Sequence, residues 1–148
     1  MEQKSYISVS PEQTESIGAQ LASELLCAPS LPRFVALYGD LGVGKTAFVR
    51  GFTSVISPDA RVKSPTFALV NEYTGNSCSV FHFDMYRISD EDDLYSIGFY
   101  DYLDRNGICL TEWSENIEYA LPDSYISVNI RKCSAGNENA REISICLV

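Results

Sequence analysis

The chain has 148 residues, a net charge of −9, and is 45% hydrophobic and 21% charged, a balance that suits one globular domain burying roughly two-thirds of its unfolded surface. Such an acidic chain repels a phosphate backbone, so direct nucleic-acid binding is not expected, and its apolar runs are too short for a membrane span. Five scattered cysteines without a CxxC pair point to reduced thiols, and the opening MEQKSYISVSPEQ lacks the basic and apolar regions of an export signal, so a cytoplasmic location is expected.

In chain order, SPEQTESIGAQLASELL reads as an amphipathic helix, with Ser10 as N-cap, Pro11 in the first turn and Gln13 as capping-box partner. Ile17, Leu21 and Leu25 follow at helical spacing. Pro29 and Pro32 mark a loop, RFVALYGD reads as a buried strand, and KTAFVRGFTSVI as the helix after it. TFALVNEY and CSVFHFD are strand-like runs joined by a TGNS hairpin turn. SDEDDLYSIGFYDYLD predicts one helix, capped by Ser89 and with acids matched to the dipole of its first turn. ICLTEW predicts a buried strand, and YISVNIRK and REISICLV a closing antiparallel pair around AGNENA. No repeat, low-complexity tract or internal boundary interrupts residues 1–148, so a single domain of α/β class is expected.

GDLGVGKT, Gly39 to Thr46, fits G-x-x-x-x-G-K-[ST] between a predicted strand and helix. Glycines let the backbone amides of Leu41, Gly42, Val43, Gly44 and Ala47 curl toward a phosphate at a helix N-terminus. Lys45 is placed to reach the β- and γ-phosphates, and the Thr46 hydroxyl to ligate Mg²⁺. The expected ligands are therefore a nucleoside triphosphate and Mg²⁺. No NKxD segment reads guanine and Asp84 opens no DxxG switch. The best candidate for a kinase lid, around Ser89 to Asp104, is acidic where phosphoryl transfer wants cations. An ATPase remains, with a small-metabolite or nucleoside kinase as the alternative.

Thr66, after Pro65, is either a sensor of the γ-phosphate or an ordinary strand start. His82, the one histidine, reads as a partly buried structural residue more than a catalytic one. Arg87 either touches phosphate or pairs with neighbouring acids. Trp113 is either core packing or a platform beside the site. Asp84 and Glu112 each end a strand-like run and compete for the metal-linked role of a phosphate site.

GDLGVGKT, SPTF (Ser64 to Phe67), HFDMYR (His82 to Arg87) and EW (Glu112, Trp113) occur in that order. Together they resemble the bacterial TsaE family, P-loop ATPases of tRNA threonylcarbamoyladenosine (t6A) biosynthesis, over nearly the whole chain. The resemblance implies a P-loop NTPase fold with a central mixed sheet, antiparallel hairpins and flanking helices. It also implies weak ATP hydrolysis with Mg²⁺, and TsaB-like and TsaD-like partners through which tRNA is met indirectly. By the same resemblance Thr46 and Glu112 hold Mg²⁺, and Asp84 handles the attacking water or the γ-phosphate. Pro11 and Thr14 of the first helix, with Arg141 near the end, flank the nucleotide base. Thr111 departs from the family pattern, which more usually has an aliphatic residue there.

Overall fold

The structure is a computed structural model and describes residues 2–40, 42–65, 69–133 and 137–148. Its elements are β1 (Lys4–Ser8), α1 (Pro11–Cys27), β2 (Phe34–Tyr38), α2 (Lys45–Ile56), β3 (Val70–Thr74), β4 (Ser79–Asp84), α3 (Glu91–Ser96), α4 (Phe99–Leu103), β5 (Gly107–Glu112), β6 (Ile126–Lys132) and β7 (Arg141–Leu147), with a 3-10 segment at Ser114–Ala120. The strands form one sheet in the order β1-β7-β6-β2-β5-β4-β3. The centre, β6-β2-β5-β4, is parallel, while β3, β7 and β1 join antiparallel. This is the expected mixed sheet flanked by helices.

The central strands are apolar on both faces because both faces are covered. Val35 and Leu37 of β2, Val80 of β4, and Ile108 and Leu110 of β5 pack with α1 and α2. Phe34 and Ala36, Phe81 and Phe83, and Cys109 point the other way, toward Leu94 of α3, Phe99 of α4 and Ile117. All five thiols are free, and burial pushes that of Cys109 up to about 12, which leaves it an inert core group. No helix among the described residues is long and apolar enough to cross a membrane.

The start of α1 agrees with the sequence reading. Ser10 accepts from the Gln13 amide at 3.1 Å, and the Gln13 side chain accepts in turn from the Val9 amide at 2.8 Å. One other expectation needs correcting, and one strand was not expected. The segment after Ser89 is two short helices, broken where Gly98 adopts φ 72°, and its N-cap is Asp90, whose carboxylate accepts from the Asp93 amide. The leading KSYIS, which the reading above leaves unassigned, forms edge strand β1 against β7.

The contact that places α1 is between two helix backbones. A Cβ on Gly18 would sit 2.3 Å from the Phe48 carbonyl oxygen, and one on Gly51 only 1.8 Å from that of Glu15. Either side chain would drive the helices apart, and with them the α1 N-terminus, which lies beside the P-loop. Gly51→Val is expected to cost about 1–3 kcal/mol by overpacking. Thermal unfolding followed by circular dichroism should show a midpoint lowered by roughly 2–12 °C.

Candidate nucleotide site

β2 ends at Tyr38 and the chain turns through Gly39, Gly42 and Gly44 before α2 begins. These glycines have φ of 146°, 80° and 106°, all in the region that disfavours a side chain. Gly39 is also confined in space, since a Cβ there would meet the Ile130 carbonyl oxygen at 2.5 Å. Gly44 caps α2 with no side-chain hydrogen bond, which leaves the first-turn amides and the positive end of the helix for an anion. Leu41 lies outside the described residues.

The parallel pairing of β4 with β5 sets Asp84 opposite Glu112, on the face that carries α2. Asp84, Glu112, Lys45 and Thr46 consequently line one recess of about 390 Å³ with Gly42, Gly44, Ser64 and Trp113. The two acids identified from sequence therefore share one site. The Lys45 ammonium donates to the Gly39 carbonyl at 2.6 Å and lies 4.1 Å from the Trp113 ring centroid. Asp84 accepts from the Tyr86 amide at 3.0 Å through one carboxylate oxygen. Its carboxyl is held above the ordinary range by burial first and by the neighbouring Glu112 charge; the Tyr86 amide and Lys45 oppose that shift.

Glu112 is 5% exposed, and its carboxylate meets Nε2 of the fully buried His82 at 2.5 Å. His82 is buried as its pattern suggests, but its partner is a site acid. Trp113 takes a left-handed backbone (φ 58°, ψ 43°) and its ring packs on Tyr86 at 5.0 Å between centroids. Among the described non-glycine residues only Leu69 also has positive φ, a placement that costs free energy and is characteristic of functional segments. The next turn holds the tryptophan there. The Ser114 hydroxyl donates to the Thr111 carbonyl at 2.8 Å and lies 2.7 Å from the Thr111 hydroxyl, which also lies 3.4 Å from the Val35 carbonyl oxygen. The polar Thr111 thereby anchors the turn that follows the acid.

A smaller recess borders the P-loop on its other side, formed by Pro11, Thr14, Gly42, Val43, Gly44, Ala47, Asn139 and Arg141. The Arg141 guanidinium donates to the Val43 carbonyl at 2.9 Å, so β7 is tied directly to the P-loop. Thr14 is buried and its hydroxyl lies 2.8 Å from that of Ser8. Residues from near both ends of the chain thus line one recess beside the loop. Thr66 lies outside the described residues. Arg87 is exposed and forms no ion pair among the described residues.

Sequence reasoning left Ser64, Asn139 and the Glu112 contact of His82 outside the site, and left Trp113 open between core and platform. Trp113 does both, packing against the aromatic cluster on one side and lying over Lys45 in the recess on the other. A seryl residue before proline and an asparagine in a turn are too common to single out. The only signal for Trp113 was its position next to Glu112.

Thr46, Asp84 and Glu112 at the P-loop mouth offer hydroxyl and carboxylate oxygens, the hard donors that Mg²⁺ prefers. The described residues hold no group of three or more acidic, histidine or cysteine side chains suited to a metal by themselves. That also fits Mg²⁺, which uses one or two carboxylates and completes its shell from phosphate and water.

Residues 8–143 match the family model described as threonylcarbamoyl adenosine biosynthesis protein TsaE. The chain is 36% identical to the tRNA threonylcarbamoyladenosine biosynthesis protein TsaE of Bacillus subtilis, over 100% of this chain and 88% of that protein. It is 46% identical to the protein of the same name from Haemophilus influenzae over 65% of this chain; that match spans 61% of the relative's length. A crystal structure of Bacillus subtilis YdiB superposes with a TM-score of 0.74 at 30% identity, covering 97% of this chain and 84% of that one.

A carboxyl with a raised folded-state pKa binds more protons folded than unfolded over the interval above its ordinary value of 3.8. Its contribution to stability therefore falls as pH rises through that interval and stays unfavourable at neutral pH. Asp84→Asn keeps an oxygen for the Tyr86 amide and removes the charge. In nucleotide-free protein it should melt above wild type near neutral pH, with the gap closing as pH falls to about 4, in a series of thermal unfolding scans.

Proposed function

The chain belongs to the TsaE family of threonylcarbamoyl adenosine biosynthesis proteins, and on that footing we propose that it is a Mg²⁺-dependent ATPase subunit in tRNA t6A modification, working with TsaB-like and TsaD-like partners. The observation that carries this reading is the convergence of Lys45, Thr46, Asp84 and Glu112 in one recess at the mouth of a P-loop. The α2 amides and Lys45 bind the phosphates, Lys45 exchanging the Gly39 carbonyl and the Trp113 face for phosphate oxygens. Pro11, Thr14 and Arg141 flank the base.

Thr46 and Glu112 would hold Mg²⁺, which would supply positive charge to offset that of the phosphate oxygens. Asp84 orients the attacking water and accepts its proton as the bond to the leaving ADP breaks. Its raised pKa makes it a stronger base than an ordinary aspartate. The net charge of −9 assigns tRNA to the partners. The cytoplasm, where tRNA is modified, is the place for such a protein.

Purified protein mixed with its TsaB-like and TsaD-like partners, tRNA and ATP is expected to support many rounds of t6A formation. Lys45→Ala should not; full support by that variant would remove nucleotide use from the mechanism. Asp84→Asn should lower the ATPase kcat by about 10²–10⁴-fold, a range typical of losing a positioned acid–base group, and Glu112→Gln should lower it through loss of a metal ligand. ATP binding, measured by calorimetry, should change far less. Asp84→Asn with undiminished turnover would exclude Asp84 from handling water.

A further inference from the structure

β4 carries Val80, His82 and Asp84 on the face that meets α2, and β5 presents Ile108, Leu110 and Glu112 beside them. His82 lies beneath the recess, fully buried between Leu110 of β5 and Asn71 of β3. An imidazole loses hydration on burial and gains no more packing there than a leucine would. Its one side-chain partner among the described residues is the Glu112 carboxylate, met by Nε2 at 2.5 Å.

The other ring nitrogen decides how the proton is arranged. Nδ1 is buried and has no hydrogen-bond partner among the described residues. Any form with a proton on Nδ1 leaves a buried donor unpaired; the Nδ1–H tautomer also turns the Nε2 lone pair toward the carboxylate. The Nε2–H tautomer avoids both faults, leaving only an acceptor unmatched. In that form His82 donates to Oε2 of Glu112 and holds a side chain that otherwise has three free torsions.

We propose that His82 is a positioning residue. By fixing Oε2 of Glu112 it presents the remaining oxygen to the divalent cation of a bound Mg²⁺–nucleotide, and so sets the Mg²⁺ requirement of the site without touching metal or nucleotide. This rests on the reading of the recess as a Mg²⁺–ATP site. Such outer partners of a metal-ligating side chain typically change metal affinity by about 10–100-fold when lost. His82→Leu removes the donor at similar bulk, whereas His82→Gln returns an N–H near the position of Nε2.

The test titrates Mg²⁺ against wild type, H82L and H82Q in the presence of a fluorescent ATP analogue, with metal-free binding measured separately in EDTA. H82L should raise the Mg²⁺ concentration for half-maximal effect by about 10–100-fold and leave metal-free affinity unchanged, while H82Q stays near wild type. An unaltered Mg²⁺ requirement in H82L, an equal loss of metal-free binding, or H82Q as impaired as H82L would each overturn the proposal. The one histidine also permits a measurement independent of variant folding. Nitrogen-15 spectra of histidine-labelled wild type should show the Nε2–H tautomer; Nδ1–H would overturn the proposal. Wild type with no Mg²⁺-dependent nucleotide binding would instead defeat the ATP-site reading itself, a result distinct from a failure confined to H82L.

Discussion

The parallel pairing of β4 with β5 is the constraint on which the site depends. Its register places Asp84 opposite Glu112 and His82 one pleat behind them. Slipping either strand by one residue would turn its acid toward the aromatic layer around Phe83 and Phe99. The register is held from both faces, by aliphatic residues packed on α1 and α2 and by aromatic residues packed on α3 and α4. Because β2 is the neighbour of β5, the P-loop at its end opens over the same two acids.

Around that pairing the molecule accepts several unfavourable placements. Two carboxylates share a half-buried recess, a histidine is buried with one nitrogen unmatched, and a tryptophan sits in a left-handed conformation. Each is held by neighbours: the Tyr86 amide on Asp84, Glu112 on His82, and the Thr111–Ser114 pair behind Trp113. These are places where local preference and tertiary demand disagree, a pattern expected where a fold is spent on chemistry. The contact between α1 and α2 serves the same end from a distance, since Gly18 and Gly51 let α1 approach closely enough to set Pro11 and Thr14 against the P-loop.

Most of the architecture was legible because its signals are local. The P-loop carries its own glycines, α1 its own cap, and β6 and β7 their own alternation around a turn. β1 was missed because KSYIS is a short edge strand, only half covered, and what makes it a strand is β7 at the other end of the chain. The helix after Ser89 was drawn as one because its apolar spacing continues through Gly98; the break comes from the left-handed backbone there. The acids of the site could be named from strand ends alone, but their mutual arrangement could not.

By itself the sequence determined a G-x-x-x-x-G-K-[ST] loop at a strand–helix junction, the acids that end two apolar strands, and a net charge of −9. These follow from residue type and spacing within a few positions, where backbone geometry leaves little choice. Only the tertiary structure decided that both acids face one recess, that Glu112 is held by a histidine 30 residues away in the chain, that Trp113 covers Lys45, and that Arg141 reaches Val43 across a separation of 98. Those contacts arise from strand order and register, which depend on the packing of the whole sheet against its helices rather than on any local stretch of chain.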